Sequence, residues 1–563
     1  MNKQGYRWEV QYKGKAKDIL NILLKVRAVK GIKEKKEFIS PRDPSKLSLK
    51  ELGLTASEIK KTIQRIKKAI RNNEEALVYG DYDADGICGT AILWESLYTT
   101  GLKVLPYIPE RFSEGYGLNI ESLKKLAREN PDLKLIFTVD HGIVANSKVD
   151  VASSLGIDIV ITDHHEPHFA KASRGKERFN YPKAYSIIHT TKISGSAVAW
   201  ILAREVRGAF KIDREKMKFG DGLDLVAIGM IADQMPLLGA NRSFAKYGLE
   251  SLNKTIRPGL NALFTEATLK KGGIGTYAVG FMIAPRINAT GRLTNAIDSL
   301  RLLCTKDRKR AGELALSIGK INSERQKIVD SVVAHALRQA QGARMEGVIV
   351  MASKSYHEGV IGLAAARIVD EFYRPAIVMA KKGEISKASA RSISGFNIIE
   401  AIRKLEGFYL EGGGHPMAAG FSIETLKIAE FTKKINEVAR PLLTDEILSK
   451  RLRIDMELNF NQINYELFNK LKVLEPTGLG NPTPTFVSRD IEIIDARTVG
   501  SERKHLKLKL KQDLVVFDAI AFGFGELFSK IAPGSKIDIV YSIEDNFWNN
   551  HKNLQLKIKD LRN

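Results

Sequence analysis

Asp163, His164 and His165 close a short β-branched run, Asp158 to Thr162, and Pro167 then blocks immediate helix growth. Three ionisable side chains at the end of a buried strand are costly unless something pairs with them, and a metal ion is the usual partner. The pattern repeats. Ala76 to Gly80 runs into Asp81, Asp83 and Asp85 at alternate positions; Lys134 to Val139 ends on Asp140 and His141; Leu225 to Ala232 ends on Asp233. An EF-hand reading of the first loop fails, because the twelfth position counted from Asp81 is Ile92 and not glutamate. Carboxylate oxygens with one or two imidazoles and no thiolate suit Mn²⁺ or Mg²⁺ better than structural zinc. The carboxylates outnumber the needs of one ion. Asp140 or its neighbours could bridge two ions roughly 3.5–4 Å apart, the geometry of two-metal hydrolysis.

The elements that must position these residues follow from the same runs. Each of the four reads as a buried strand, and helical segments separate them, which predicts βα repeats and a parallel sheet. Ligands bind outside the carboxyl ends of such strands, and all four runs end there in Asp or His. A single polar ending would be a solvated turn; four in one α/β unit point to a site.

The chain has 563 residues, too many for one core. Lys and Arg number 88 against 65 Asp and Glu, a net charge of +23, which favours a polyanion partner, nucleic acid before membrane. Residues 1–75 carry 20 basic and 9 acidic side chains, so about half the surplus precedes the first motif, whereas residues 441–563 carry 18 and 17. Two cysteines, Cys88 and Cys304, make neither a zinc cluster nor a disulfide framework. No apolar run is long enough to cross a membrane and no signal peptide opens the chain, so a cytoplasmic location with no membrane partner is expected.

Residues 305–345 read as one long polar helix. A strand over Gly347 to Met351 then leads to His357–Gly362, a glycine-bounded entry into a helix and a ready anion site. Ser389-Ala390-Arg391-Ser392 and Gly412-Gly413-Gly414-His415 follow, an arginine fork and a glycine run that lets backbone N–H groups approach phosphate. Beyond residue 441 strand patterns dominate. His505 to Lys511 and Leu554 to Lys559 alternate apolar residues with polar ones, mostly lysine, and Phe522, Phe547 and Trp548 lie near them in sequence. Lysine along one face with aromatic rings suits a single-strand platform; an ordinary half-buried sheet would show the same alternation.

The ordered set Val78–Gly86, Val139–Gly142, Asp163–His165 and Ile231–Asp233 resembles the four motifs of the DHH phosphoesterase superfamily. Arg111–Leu118, Ala284–Arg292 and Glu475–Pro482 extend the resemblance to its RecJ family of single-stranded-DNA 5′→3′ exonucleases, and Ser389–Arg391 with Gly412–His415 resembles the DHHA1 domain. Tyr79 stands where many superfamily members place a histidine ligand. The resemblance implies an α/β DHH domain with a parallel sheet (56–304, after a basic N-terminal segment 1–55), a linker helix (305–345), a second α/β DHHA1 domain (346–440) and a C-terminal OB-like β-barrel (441–563). It implies two Mn²⁺ or Mg²⁺ ions on Asp81, Asp83, Asp85, Asp140, His164 and Asp233. His165 would face the phosphate or give a proton, with Asp163 orienting its neighbours. Arg111, Arg286, Asn288, Arg292, Ser389, Arg391, Gly413, Gly414 and His415 would bind substrate. Implied partners are single-stranded DNA, a single-stranded-DNA-binding protein and a helicase, in DNA repair and recombination. The rival readings are a DHH phosphodiesterase of short oligoribonucleotides or cyclic dinucleotides, and a non-catalytic nucleic-acid scaffold. The basic N-terminus and C-terminal strand region oppose the first, and intact carboxylates and histidines the second.

Overall fold

The computed structural model describes residues 5–14, 18–167, 169–170, 178–213, 217, 219–340, 347–548 and 551–562. The chain forms two compact units. One contains residues 31–325 and 475–482; the other contains 1–30, 326–474 and 483–563.

The first unit is built on five parallel strands: β1 (Glu75–Gly80), β2 (Lys103–Tyr107), β3 (Leu133–Val139), β4 (Asp158–Asp163) and β5 (Ser186–His189). Their order is β2-β1-β3-β4-β5. Side chains alternate across the sheet. Ala76 and Val78 enter the core on one face, and Leu77 and Tyr79 enter the core on the other. On the first face lie helices α1 (Ala84–Tyr98), α2 (Gly195–Ala209) and α3 (Leu223–Ala232). The chain reverses direction across the sheet between β1 and β3, and such a switch point opens a crevice at the carboxyl ends of the strands.

The run ending on Asp233 is therefore a helix, α3, and not the fourth strand its sequence suggests. Leu225 to Met230 are all buried, so α3 is apolar all round, and periodicity cannot separate a buried helix from a buried strand. The remaining strands are β2 and β5 at the sheet's two edges. Pro106, which cannot donate to a ladder, is tolerated in β2 because only β1 lies beside that strand.

The helix Arg308–Ala340, about 50 Å long, begins in the first unit and ends in the second. The second unit holds a five-stranded sheet of β6 (Ile349–Ser353), β7 (Ala376–Lys382), β8 (Ile385–Arg391), β9 (Tyr409–His415) and β10 (Ala418–Glu424), in the order β9-β10-β8-β7-β6. It also holds β11 (Arg451–Glu457), β12 (Phe486–Val499), β13 (His505–Gln512), β14 (Val515–Ala521), β15 (Lys536–Trp548) and β16 (His551–Arg562). Strands β12-β13-β14-β16-β15 follow one another, and pairing of β12 with β15 closes them into a five-stranded barrel. Leu506, Leu508 and Leu510 of β13 fill it, while Lys509 is exposed. The lysine stripes are partly paired: Lys557 lies 3.1 Å from Glu544 and Lys511 4.0 Å from Glu492. The side chains of Phe547 and Trp548 lie outside the described residues. At the N-terminus, Arg7–Tyr12 is a strand that pairs in parallel with β11, in register Arg7 to Arg451.

Candidate metal centre

The loops after β1, β3 and β4 and the end of α3 bring the acidic and histidine motifs together at the switch point. Asp83 caps α1, its carboxylate accepting the N–H groups of Asp85 (2.9 Å) and Gly86 (3.0 Å). One carboxylate oxygen of Asp85 accepts from Ser196, at the start of α2, through its N–H (3.2 Å) and its hydroxyl. The other, Oδ2, has no hydrogen-bond partner. Asp140 sits in left-handed backbone at φ 67°. Its N–H donates to Thr162 (2.9 Å) and its carbonyl accepts from the Tyr116 hydroxyl (3.1 Å), which hold that conformation. Its Oδ1 also lacks a partner, 3.0 Å from His164 Nε2, which is itself unpartnered. Asp233 Oδ2 lies 3.6 Å and Asp85 Oδ2 4.0 Å from the same nitrogen.

Buried polar atoms are almost always hydrogen-bonded, so three orphans within one cluster call for an absent partner. The electrostatics agree. Burial, with Asp83 beside it, raises the Asp81 carboxyl well above its usual range, and burial with Asp85 and Asp83 does the same at Asp140. Burial and the same two aspartates push Asp233 up to about 8. Burial lowers His164 and keeps it a neutral lone-pair donor. A set of carboxylates this unwilling to be charged together is one that a divalent cation would relieve. Three groups with ligand atoms within 4.8 Å of one another emerge, Asp81–Asp83–Asp140, Asp85–His164–Asp233 and Asp140–His164–His165, the last joining the first two through Asp140 and His164. Oxygen donors with one imidazole fit Mn²⁺ or Mg²⁺.

Asp163 and His165 are tied first to each other. Asp163 Oδ1 accepts from the N–H groups of His164 (2.7 Å) and His165 (3.1 Å) and from His165 Nδ1 (2.8 Å), and Oδ2 accepts from Ile143 N–H (2.9 Å). Burial disfavours its charge, but these donors outweigh burial and hold the carboxyl below its usual range. With both carboxylate oxygens engaged by donors from its own loop and from Ile143, Asp163 is placed to orient the triplet. Burial likewise opposes charge on His165, yet Asp163 outweighs it and raises the imidazole to about 9. His165 lies 4.0 Å from Asp140, but Asp163 occupies its Nδ1, while Nε2 meets the Tyr116 hydroxyl at 3.4 Å on a side chain 46% exposed. His141, buried and lowered to about 4 by burial, bonds the Tyr79 carbonyl through Nε2 (2.9 Å) and leaves Nδ1 unpartnered.

The residues expected to bind substrate divide. Arg111 lies over the Tyr82 ring beside the first motif, 5.0 Å from its centroid. On the helix α4 (Ala284–Leu293), Asn288 accepts the Ala84 N–H (2.7 Å), so it fixes the start of α1. Gly291 packs on the same loop; a Cβ there would lie 2.6 Å from the Tyr82 carbonyl. Arg292 follows on the same helix. Arg286 donates to Glu266 and to the Met282 carbonyl (2.8 Å), so its charge is neutralised within the unit. In the second unit, Arg391 donates to Ser389 (3.1 Å) at the N-terminus of the helix Ile361–Phe372, where Gly362 leaves room for both. Burial lowers the Arg391 guanidinium, and no carboxylate pairs with it among the described residues. Gly413, Gly414 and His415 lie exposed on the edge strand β9.

Three residues escape sequence reasoning. Ser196 orients Asp85, Tyr116 ties Asp140 to His165, and His189 of β5 holds the His165 carbonyl (2.7 Å). Tyr116 falls in a recognisable segment; Ser196 and His189 sit where the family pattern is weak.

Family models match the described architecture in order: the DHH family N-terminal domain over 75–230, the DHHA1 domain over 345–440 and the RecJ OB domain over 454–560. The single-stranded-DNA-specific exonuclease RecJ of Bacillus subtilis is 36% identical over 515 residues, 89% of this chain. The chain spans 63% of that relative, but 90% of the Haemophilus influenzae exonuclease of the same name, which is 31% identical. The crystal structure of RecJ from Thermus thermophilus in complex with Mn²⁺ superposes with a TM-score of 0.82 at 27% identity, covering 99% of this chain and 80% of that one. A second exonuclease RecJ, bound to manganese, gives 0.59 at 31% identity over 71% of this chain and 97% of that one.

Proposed function

This chain belongs to the RecJ family of single-stranded-DNA-specific exonucleases, and from that premise we propose that it is a metal-dependent exonuclease that hydrolyses single-stranded DNA from the 5′ end. One observation carries the reading: Asp85 Oδ2, Asp140 Oδ1 and His164 Nε2 are buried, unpartnered and aimed at one another. Asp81, Asp83, Asp85, Asp140, His164 and Asp233 would hold two ions, Mn²⁺ or Mg²⁺. Bound there, the ions supply Lewis acidity, acidifying a water and neutralising phosphoryl charge.

The chain's own residues set the geometry. Ser196 and the α1 cap aim Asp85 and Asp83. Asp163 holds the ring of His165 through Nδ1, so that Nε2, beside the Tyr116 hydroxyl, would be the atom to meet the scissile phosphate. Arg111 and Arg292 flank the first motif and offer charge to the phosphate chain. Arg286 acts through Glu266, and Asn288 through the Ala84 N–H, as positioning residues.

Five-prime polarity comes from the family resemblance, with Ser389 and Arg391 as the candidates for holding the terminal phosphate. A half-buried guanidinium without a carboxylate among the described residues, at a helix N-terminus, suits a terminal phosphate, which carries more charge than an internal one. Gly413, Gly414 and His415 would line the strand's path. The barrel's lysine face would lengthen the footprint, and a single-stranded-DNA-binding protein and a helicase would supply such strands in repair and recombination.

The test is single-stranded DNA labelled at either end, incubated with Mn²⁺ or Mg²⁺ beside an Asp140→Asn control. Release of the 5′ label first is expected, with none from the control. Release from the 3′ end first, or a preference for dinucleotides, would sink the reading, and binding without cleavage would favour a scaffold.

A further inference from the structure

Helix α4 continues a helical run that starts at Thr276 and passes through a five-residue π-turn, Val279–Ile283. Pro285 supplies the cause: it has no N–H to give the Phe281 carbonyl and its ring crowds that oxygen, so the turn before it widens. The buried side of the run, Ala278, Val279, Ile283, Ala284 and Ile287, enters the core. The opposite side presents Tyr277 and Phe281, 69% and 68% exposed, with ring centroids 4.8 Å apart and planes at 27°. A lone exposed ring needs no explanation. Two rings stacked on each other and otherwise open to water are a different matter.

Their place on the helix gives them a partner. Asn288 follows Phe281 by seven residues and Arg292 by eleven, two and three turns along the same face. Asn288 and Gly291 fasten that end of the helix to the first metal motif. Next to Phe281, a Cβ on Gly280 would lie 3.9 Å from the Ile231 side chain, two residues before Asp233. The helix therefore runs beside two of the metal motifs, and the two rings stand about 10 and 16 Å along it from Asn288. At about 3.4 Å per stacked nucleotide, that is the third to fifth nucleotide.

We propose that Tyr277 and Phe281 form a base-stacking subsite for the single strand, holding nucleotides three to five positions from the scissile bond. The inference rests on the exonuclease reading and extends it to a place the sequence motifs do not mark. Flat rings without hydrogen-bonding readout take any base, as a sequence-tolerant nuclease requires. A protein partner fits less well. The stretch before Tyr277 contains Gly272, Gly273 and Gly275, and two side chains fall short of the roughly 1,000 Å² a specific protein interface buries.

The experiment uses the full chain carrying Tyr277→Ala with Phe281→Ala. Anisotropy without divalent metal gives the affinity for a labelled 20-nucleotide strand, and steady-state kinetics with Mn²⁺ compare that strand with a dinucleotide too short to reach the rings. Affinity for the long strand is expected to fall about 10–100-fold. KM should rise by the same factor, dinucleotide hydrolysis should be unchanged, and Tyr277→Trp should keep wild-type affinity. Abasic sites at positions three to five should weaken the wild type by a similar factor and leave the double variant indifferent. Unchanged affinity for the long strand, or an equal loss on the dinucleotide, would overturn the subsite. A wild type that binds through the rings but cleaves nothing would fail the exonuclease reading and leave the subsite standing.

Discussion

Arg257 and Asp140 are both buried ionic groups of the same α/β unit, yet their surroundings are opposite. Arg257 makes a two-pronged pair with Glu95 (2.7 and 2.8 Å), reaches Asp224 at 3.2 Å and donates to the Leu303 carbonyl. Asp224 also accepts from Thr255 (2.7 Å). Donors and acceptors are matched, and the cluster is complete as a piece of protein. Around Asp140 acceptors outnumber the cations that face them, the His165 imidazolium at 4.0 Å among these, and atoms that a folded protein normally satisfies are left open. The first cluster ties α1 to the start of α3. The second collects the ends of β1, β3, β4 and α3. Buried charge alone does not mark a functional site; an imbalance of donors and acceptors does.

The contrast breaks if the two clusters respond alike to loss of a charge. Asp140→Asn removes a group that its neighbours already keep from ionising. Activity should fall at least about 10³-fold, measured as release of nucleotides from single-stranded DNA. The metal-free protein should be no less stable in urea, and the stabilisation that Mn²⁺ gives the wild type, about 2.7 kcal/mol at a hundredfold excess over its dissociation constant, should shrink. A variant that loses stability without metal would mean Asp140 is held by protein partners after all. Arg257→Met should behave the other way. It strands Glu95 and Asp224, so unfolding free energy should drop by about 3–5 kcal/mol, while the folded molecules bind Mn²⁺ and cleave as before. Intact stability would show that the Arg257 network is dispensable and the comparison misplaced.

How far sequence reaches follows the same line between local and distant partners. Strands β1, β3 and β4 are legible because each is a short apolar run ending in charge, and the metal candidates are legible because the charge follows directly. Asp233 reaches the cluster, 3.6 Å from His164, although its run reads as a strand and folds as the helix α3, since either element can carry its last residue to the same edge. The edge strands β2 and β5 give little signal, being short and, in β2, interrupted by Pro106. What the sequence cannot supply is the partner across the fold. Asn288 and Arg286 look like phosphate ligands in their motif. Only the structure shows the Ala84 N–H, 204 residues from Asn288, and Glu266 already holding them. The same holds for Ser196, whose hydroxyl is unremarkable until Asp85 lies against it.

Asn288 offers the smallest and sharpest test of that division. Its side-chain oxygen satisfies the first N–H of α1, one residue from Asp83 and one from Asp85, while Asp83 caps the next two. Asn288→Ala leaves one N–H short of an acceptor and loosens the turn that aims both carboxylates. If it acts by positioning, Mn²⁺ affinity should weaken about tenfold and kcat should fall with it, while the affinity for single-stranded DNA measured without metal stays within about twofold of wild type. If Asn288 is instead the substrate contact its motif suggests, KM should rise, the metal-free DNA affinity should fall, and the Mn²⁺ titration should not move. The two outcomes separate because the two roles use different atoms: the side-chain oxygen accepts from Ala84 inside the protein, whereas a phosphate contact would need the amide NH₂ to donate.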